Sequence, residues 1–140
     1  MGRLIALDYG LKRTGLAVTD PLKIIATALE TVPTASLFDF LKNYIQREPV
    51  DAFIIGMPRS MDNSDSSLTP HVRKLRAELE KQFPHIPVYE EDERLTSIMA
   101  QQAMLLGGMK KQQRRQKGQT DKISAVLILQ SFMARMHHTR

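Results

Sequence analysis

Asp8 ends the apolar run Leu4-Ile5-Ala6-Leu7 and opens the stretch Tyr9-Gly10-Leu11-Lys12-Arg13-Thr14-Gly15. A carboxylate closing a buried strand can hold a cation or handle a proton. The glycine-rich turn behind it lets backbone approach a phosphate closely, and Lys12 and Arg13 can neutralise that phosphate. The competing reading is an ordinary hairpin with a solvated tip, because short glycine motifs also arise by chance. Gly56-Met57-Pro58 with Met61-Asp62-Asn63-Ser64 follows a second apolar run. It stands at the C-terminal end of a strand, where α/β sheets place ligands, and reads equally well as a plain connection. Asp92-Glu93-Arg94-Leu95-Thr96 is another acidic cluster between a strand and a helix. Asp121 is placed in the first turn of the last helix, where an acid complements the helix dipole for ~0.3–1 kcal/mol with no chemical role at all.

The acids gain meaning together. Asp8, Glu93 and Asp121 are each expected near an end of the sheet or of the helix packed on it, converging on one cleft at the sheet edge. Three converging carboxylates repel one another unless divalent cations sit among them. Oxygen donors of this kind suit Mg²⁺ or Mn²⁺, with water and substrate phosphate completing the shell. Two such ions ~3.5–4 Å apart can activate a water and stabilise the leaving oxygen in phosphodiester hydrolysis. Glu91 and Asp92 compete with Glu93 for its place, since strand alternation can favour either. Lys110, Lys111, Arg114, Arg115, Lys117 and Lys122 crowd one stretch with no acid until Asp121. That segment, Lys110 to Gln119, reads as a phosphate-binding loop or as a solvated surface.

The rest of the composition sets bounds. The chain has 140 residues, 42% hydrophobic and 25% charged, a formal charge of +5 and pI ≈ 9.7. That length fits a single domain over 1–140 with a real core, and the composition argues against disorder. The absence of cysteine excludes disulfides, thiolate metal sites and thiol nucleophiles, and suits a reducing, cytoplasmic setting. No run approaches ~18 apolar residues, so no membrane span is expected. The apolar run before Asp8 is too short for a signal peptide, and Ala6 stands where a myristoylation motif needs Ser or Thr. His71, His85, His137 and His138 show no metal-ligand spacing, and the eight methionines read as core filler.

The elements that must carry the acids follow from periodicity. Arg3–Leu7, Leu16–Thr19 and Ile24–Val32 read as three strands with short connections, an antiparallel meander. Leu37, Phe40, Leu41, Tyr44 and Ile45 fall at helical spacing, with Thr34 or Ser36 as cap. Val50–Ile55 is a buried strand, 59–68 a loop, and Thr69-Pro70 opens a helix carrying Val72, Leu75, Leu79 and Phe83. Ile86–Tyr89 is a fifth strand. A helix from Thr96 ends at Gly107-Gly108, and a last helix runs from near Thr120 to Met136, apolar enough to lie against the sheet. Strands alternating with helices require parallel pairing, so the fold class is α/β, a mixed five-stranded sheet flanked by helices.

These motifs, in this order, resemble the YqgF/RuvX-type family of pre-16S rRNA nucleases, also described as Holliday junction resolvases. The matching pieces are Asp8-Tyr9-Gly10 with Lys12-Arg13 and Gly15; Gly56-Met57-Pro58 with Met61-Asp62-Asn63-Ser64; Asp92-Glu93-Arg94-Leu95-Thr96; and Asp121 with Ala125 and Ile128-Leu129-Gln130. Asn63, Met57 and Ser124 depart from the usual pattern and leave the acids untouched. The resemblance implies an RNase H-like fold and a metal-dependent nuclease. Asp8, Glu93 and Asp121 would be the catalytic, metal-binding acids for Mg²⁺ or Mn²⁺. Lys12, Arg13, Arg94, Arg114, Arg115 and Lys117 would contact the phosphates of a nucleic-acid partner, pre-rRNA or branched DNA. Its implied role is maturing the 5′ end of 16S rRNA. Two other readings stand beside it on the same fold: a nucleotide-binding domain of the actin-like or sugar-kinase type, and an RNA-binding assembly factor without turnover.

Overall fold

Successive side chains of a strand point to opposite faces, and this alternation sorts the apolar residues into two separate cores. The structure, a computed structural model, describes residues 2–57, 69–92 and 117–138; residues 117–122 and 137–138 are placed by their backbone alone. Its strands are β1 (Arg3–Tyr9), β2 (Arg13–Thr19), β3 (Ala26–Pro33), β4 (Val50–Met57) and β5 (Val88–Asp92). Its helices are α1 (Leu37–Arg47), α2 (Thr69–Gln82) and α3 (Lys117–His138), with a 3₁₀ turn at Thr34–Ser36. The sheet order is β3-β2-β1-β4-β5, so β1 is central. β1 pairs antiparallel with β2 and parallel with β4; β2–β3 is antiparallel and β4–β5 parallel. The mixed sheet expected from the sequence is therefore present.

On one face Ile5, Leu7, Leu16, Phe53 and Ile55 pack with Leu37 and Leu41 of α1 and Val72, Leu75 and Leu79 of α2. On the other, Leu4, Ala6, Ala17, Ala52 and Ile54 meet Ala125, Ile128, Leu129, Phe132 and Met133 of α3. Those α3 positions run i, i+3, i+4, i+7, i+8, one helical stripe. Alanine at 6, 17, 52 and 125 lets the helix axis come close to the sheet. Among the described residues no helix is long and apolar enough to cross a membrane.

Several boundaries differ from the sequence reading, each for a local reason. β3 starts at Ala26, not Ile24, because the N–H groups of Ile24 and Ile25 donate to the Asp20 carboxylate at 2.7 and 2.8 Å instead of to a strand. Those bonds, that from Ile25 foremost, hold the exposed Asp20 carboxyl below its ordinary pKa. β5 starts at Val88, not Ile86: the Ile86 N–H closes the end of α2 on Phe83 O at 3.0 Å, and pairing to β4 begins at the Pro87 carbonyl. The last helix begins at Lys117, three residues before Thr120, and takes in the end of the basic segment as well as His137 and His138. Lys and Gln favour that extension, at a cost of about 1 kcal/mol for Gly118. The basic loop from 110 to 116, the loop 59–68 and the helix expected from Thr96 lie outside the described residues.

The start of β1 depends on one hydroxyl. The register shifts between Arg3 and Leu4, and the Leu4 N–H donates to the buried Thr19 Oγ1 at 2.9 Å. Thr19→Val keeps the shape and removes the acceptor. It is expected to cost about 1–3 kcal/mol, read as a lower urea midpoint with unchanged slope.

Candidate functional site at the end of the central strand

Asp8 lies one residue from the C-terminal end of β1, opposite Gly15 of β2, and is half-buried. Leu7 and Tyr9 both pack into the α1/α2 core, so alternation turns the intervening Asp8 to the α3 face. Asp8 thus closes the first strand as expected, and that strand is the central one of the sheet.

The turn behind Asp8 is built tightly. A Cβ on Gly10 would lie 2.5 Å from the Arg13 carbonyl oxygen, so the chain can close there only with glycine. Thr34 fastens the turn to the end of β3. Its hydroxyl donates to Gly10 O at 2.6 Å and lies 3.0 Å from Thr14 Oγ1, and its N–H donates to Lys12 O at 2.9 Å. Of the two expected caps, Ser36 stands at the N-cap position of α1 but its side chain makes no cap bond, and the Thr34 hydroxyl is committed to the turn. Lys12 is exposed at the tip, and half-buried Arg13 starts β2.

Across the same face, the pairs Leu7↔Ile55 and Gly56↔Glu91 align Asp8, Gly56 and Glu91 in one row. Gly56 carries no side chain between the two acids, which stand two strand spacings, about 10 Å, apart. Glu91 is buried, and both of its oxygens are engaged. Ser131 Oγ donates to Oε2 and the Arg135 guanidinium to Oε1. Glu91 therefore fastens β5 to α3. Glu90 points the other way, pairing with Arg76 of α2 at 2.7 Å, and that contact, with Glu80, holds the Arg76 guanidinium above its ordinary pKa. By the same alternation Asp92 faces α2. Neither of the two neighbours that competed with Glu93 is thus a free carboxylate beside Asp8 on the α3 face.

Of the other residues singled out by sequence, Glu93, Arg94, Arg114 and Arg115 lie outside the described residues. Lys117 is the first residue of α3 and Asp121 the fifth, and no acid occupies the first turn. The first-turn placement of Asp121 is corrected, and with it the dipole explanation weakens, since that effect fades within one turn. Position 121 stands one turn ahead of Ala125 in α3. Among the described residues no three metal-ligating side chains come together. Sequence reasoning missed Ser131 and Arg135; their i, i+4 spacing on one helix was the available signal. A larger cavity of ≈ 680 Å³ lies at the start of β1 beside Arg3, Tyr44 and Arg47, about 17 Å from Asp8 along the strand. Its Arg3 is already tied to Glu48 and to the Thr19 carbonyl.

A meander joined to parallel strands around a central strand, with helices on both faces, defines an RNase H-like fold. A family model described as "RuvX: Holliday junction resolvase" matches residues 2–135, and the chain belongs to that family. It is thereby a nuclease, a hydrolase of phosphodiester bonds. Similar proteins from Porphyromonas gingivalis (52% identical over 133 residues, 95% of this chain and 96% of the relative) and Phocaeicola vulgatus (50% over 137 residues, 95% and 96%) carry the name "Putative pre-16S rRNA nuclease". Among solved structures, the fold is shared with the Fowlpox virus resolvase in complex with Holliday junction DNA (TM-score 0.59, 12% identity, 96% of this chain and 98% of that one). It is also shared with T. thermophilus RuvC in complex with a Holliday junction substrate (TM-score 0.56, 19% identity, 97% and 96%).

Proposed function

We propose that this chain, a single cytoplasmic domain, trims precursor 16S rRNA at its 5′ end, with Asp8, Glu93 and Asp121 as the acids of a divalent-metal site. The observation that carries the reading is Asp8 itself: a hard oxygen donor at the end of the central strand, facing the helix that carries Asp121. The donor set fits Mg²⁺ or Mn²⁺, since all three are carboxylates and the chain has no cysteine. Two bound ions would supply an activated water and charge stabilisation at the leaving oxygen. The chain's own part is to hold the scissile phosphate. Lys12 and Arg13 present cations from a turn that Gly10 and Thr34 keep in one conformation, and Arg94, Arg114, Arg115 and Lys117 extend the contact along the backbone. A preference for branched DNA is the second reading, favoured by the family's description as a resolvase. Side-by-side cleavage of precursor 16S rRNA and a four-way DNA junction separates the two. Faster cleavage of the RNA is expected, and cleavage of the junction alone would reverse the assignment.

The basic residues make a separable prediction. Neutralising Arg114, Arg115 and Lys117 together is expected to weaken binding across sequences. The slope of log affinity against log salt should become shallower by roughly one unit per lost phosphate contact. Fluorescence anisotropy over a salt series checks this, and an unchanged slope in the triple variant would make these side chains a solvated surface.

A further inference from the structure

We propose that the groove between the end of β1 and the first turns of α1 and α2 is a subsite for one unpaired nucleotide of the substrate strand, next to the phosphate held at Asp8; this rests on the nuclease reading. The groove has a volume of ≈ 330 Å³, and its lining includes Tyr9, Thr34, Phe38, His71, Lys74 and Glu78. That is the small end of the ~300–1,000 Å³ usual for ligand pockets, room for one base and not for a larger ligand.

Its position follows from strand alternation. Tyr9 comes directly after Asp8 and points to the other face, so the groove opens on the opposite side of the same strand end. A strand with its phosphate at Asp8 can pass over the Gly10–Arg13 turn and drop its neighbouring base beside Tyr9. Tyr9 and Phe38 are both half-buried, and among the described residues neither ring stacks on another. Two aromatic rings in a narrow cleft suit an unstacked base, which offers its π-face whatever its identity. Lys74 and His71 are exposed on the early turns of α2 and form no ion pair with a described residue, leaving Lys74 open to a phosphate. Glu78, the one acid in the lining, accepts a bond from the Gln82 amide at 2.8 Å. Thr34 joins the two sites, because the residue that fastens the turn behind Asp8 also lines the groove. The groove recognises an unpaired base; a base held in a duplex cannot enter between α1 and α2.

The test is binding of short single-stranded RNA oligomers in Mg²⁺, measured in an Asp8→Asn background to prevent turnover. The oligomers form a series with one abasic site moved along the chain. The parent should show one position whose missing base weakens binding. Tyr9→Leu should weaken binding of the intact oligomer roughly 5- to 100-fold, and the abasic position should then have no further effect. Tyr9→Phe should bind as the parent does. Tyr9 touches the core, so Lys74→Gln, on the exposed surface, gives an independent variant expected to weaken binding several-fold, with Lys74→Arg restoring it. If the parent binds while Tyr9→Leu and Lys74→Gln match it at every abasic position, the subsite is overturned and the nuclease reading stands. A parent that binds no nucleic acid overturns both.

Discussion

Asp8→Asn is expected to lower the rate of cleavage by about 10³-fold or more while leaving the fold intact. Metal-assisted phosphodiester hydrolysis draws several kcal/mol of transition-state stabilisation from the ions, and each 1.36 kcal/mol is about tenfold in rate. Asn keeps the size and hydrogen-bonding reach of Asp8 and removes the charge that holds a cation. The carboxylate is half-buried at the end of β1, outside both apolar cores, so its replacement by Asn leaves their packing unchanged. The measurement is single-turnover cleavage of precursor 16S rRNA in Mg²⁺ and in Mn²⁺, beside a thermal melt of the same preparation. A variant that melts as wild type does and still cleaves at a comparable rate would remove Asp8 from the chemistry. A four-way DNA junction run in parallel shows whether the loss follows the residue or the substrate.

How far the sequence carried the site depends on the range of the interactions involved. The strand and the acid that ends it were legible because both are local, whereas the division of Leu4 and Ala6 from Ile5 and Leu7 into two cores, and with it the turn of Asp8 to the α3 face, came with the fold. The mixture of antiparallel and parallel pairing was legible too, since strands separated by helices must run parallel, while the order of the strands came only with the fold. Where side chains capture backbone groups, local signals misled. The Asp20 carboxylate takes the N–H groups of Ile24 and Ile25 and delays β3, although both residues favour strands. Thr34, before an amphipathic helix, has the chemistry of a cap, yet its hydroxyl reaches back to Gly10. Nothing within a few residues of either position shows which partner wins. Glu91 is the extreme case. Its partners lie 40 and 44 residues away, and only the crossing of β5 by α3 brings them together. Glu91, Asp92 and Glu93 carry equal charge and competed for one place, and only the fold shows that Glu91 is held by partners of its own on α3, while Glu90 pairs with α2.

Asp121→Asn is expected to leave the metal-free protein as stable as wild type, or more so, and to remove most of its stabilisation by metal. Asp121 is the fifth residue of α3, beyond the turn in which an acid gains from the dipole, so its loss should cost little there. If it stands among Asp8 and Glu93, the metal-free site carries like-charge repulsion that the substitution relieves. Metal reverses the balance. Ions that bind the folded site and not the unfolded chain stabilise by mass action, about 2.7 kcal/mol at a hundredfold excess over the dissociation constant. For a domain of this size that corresponds to a rise in melting temperature of roughly 5–10 °C. Wild type should show this rise across a Mg²⁺ or Mn²⁺ series, and Asp121→Asn should show little of it. The stability of the two proteins should therefore cross, with the variant equal or higher in chelator and wild type higher in metal. A purely structural role for Asp121 makes the opposite forecast: a lower melt in chelator with the full metal-dependent rise retained. That outcome would leave the cations to Asp8 and Glu93. The crossing, by contrast, arises only when Asp121 shares their charge.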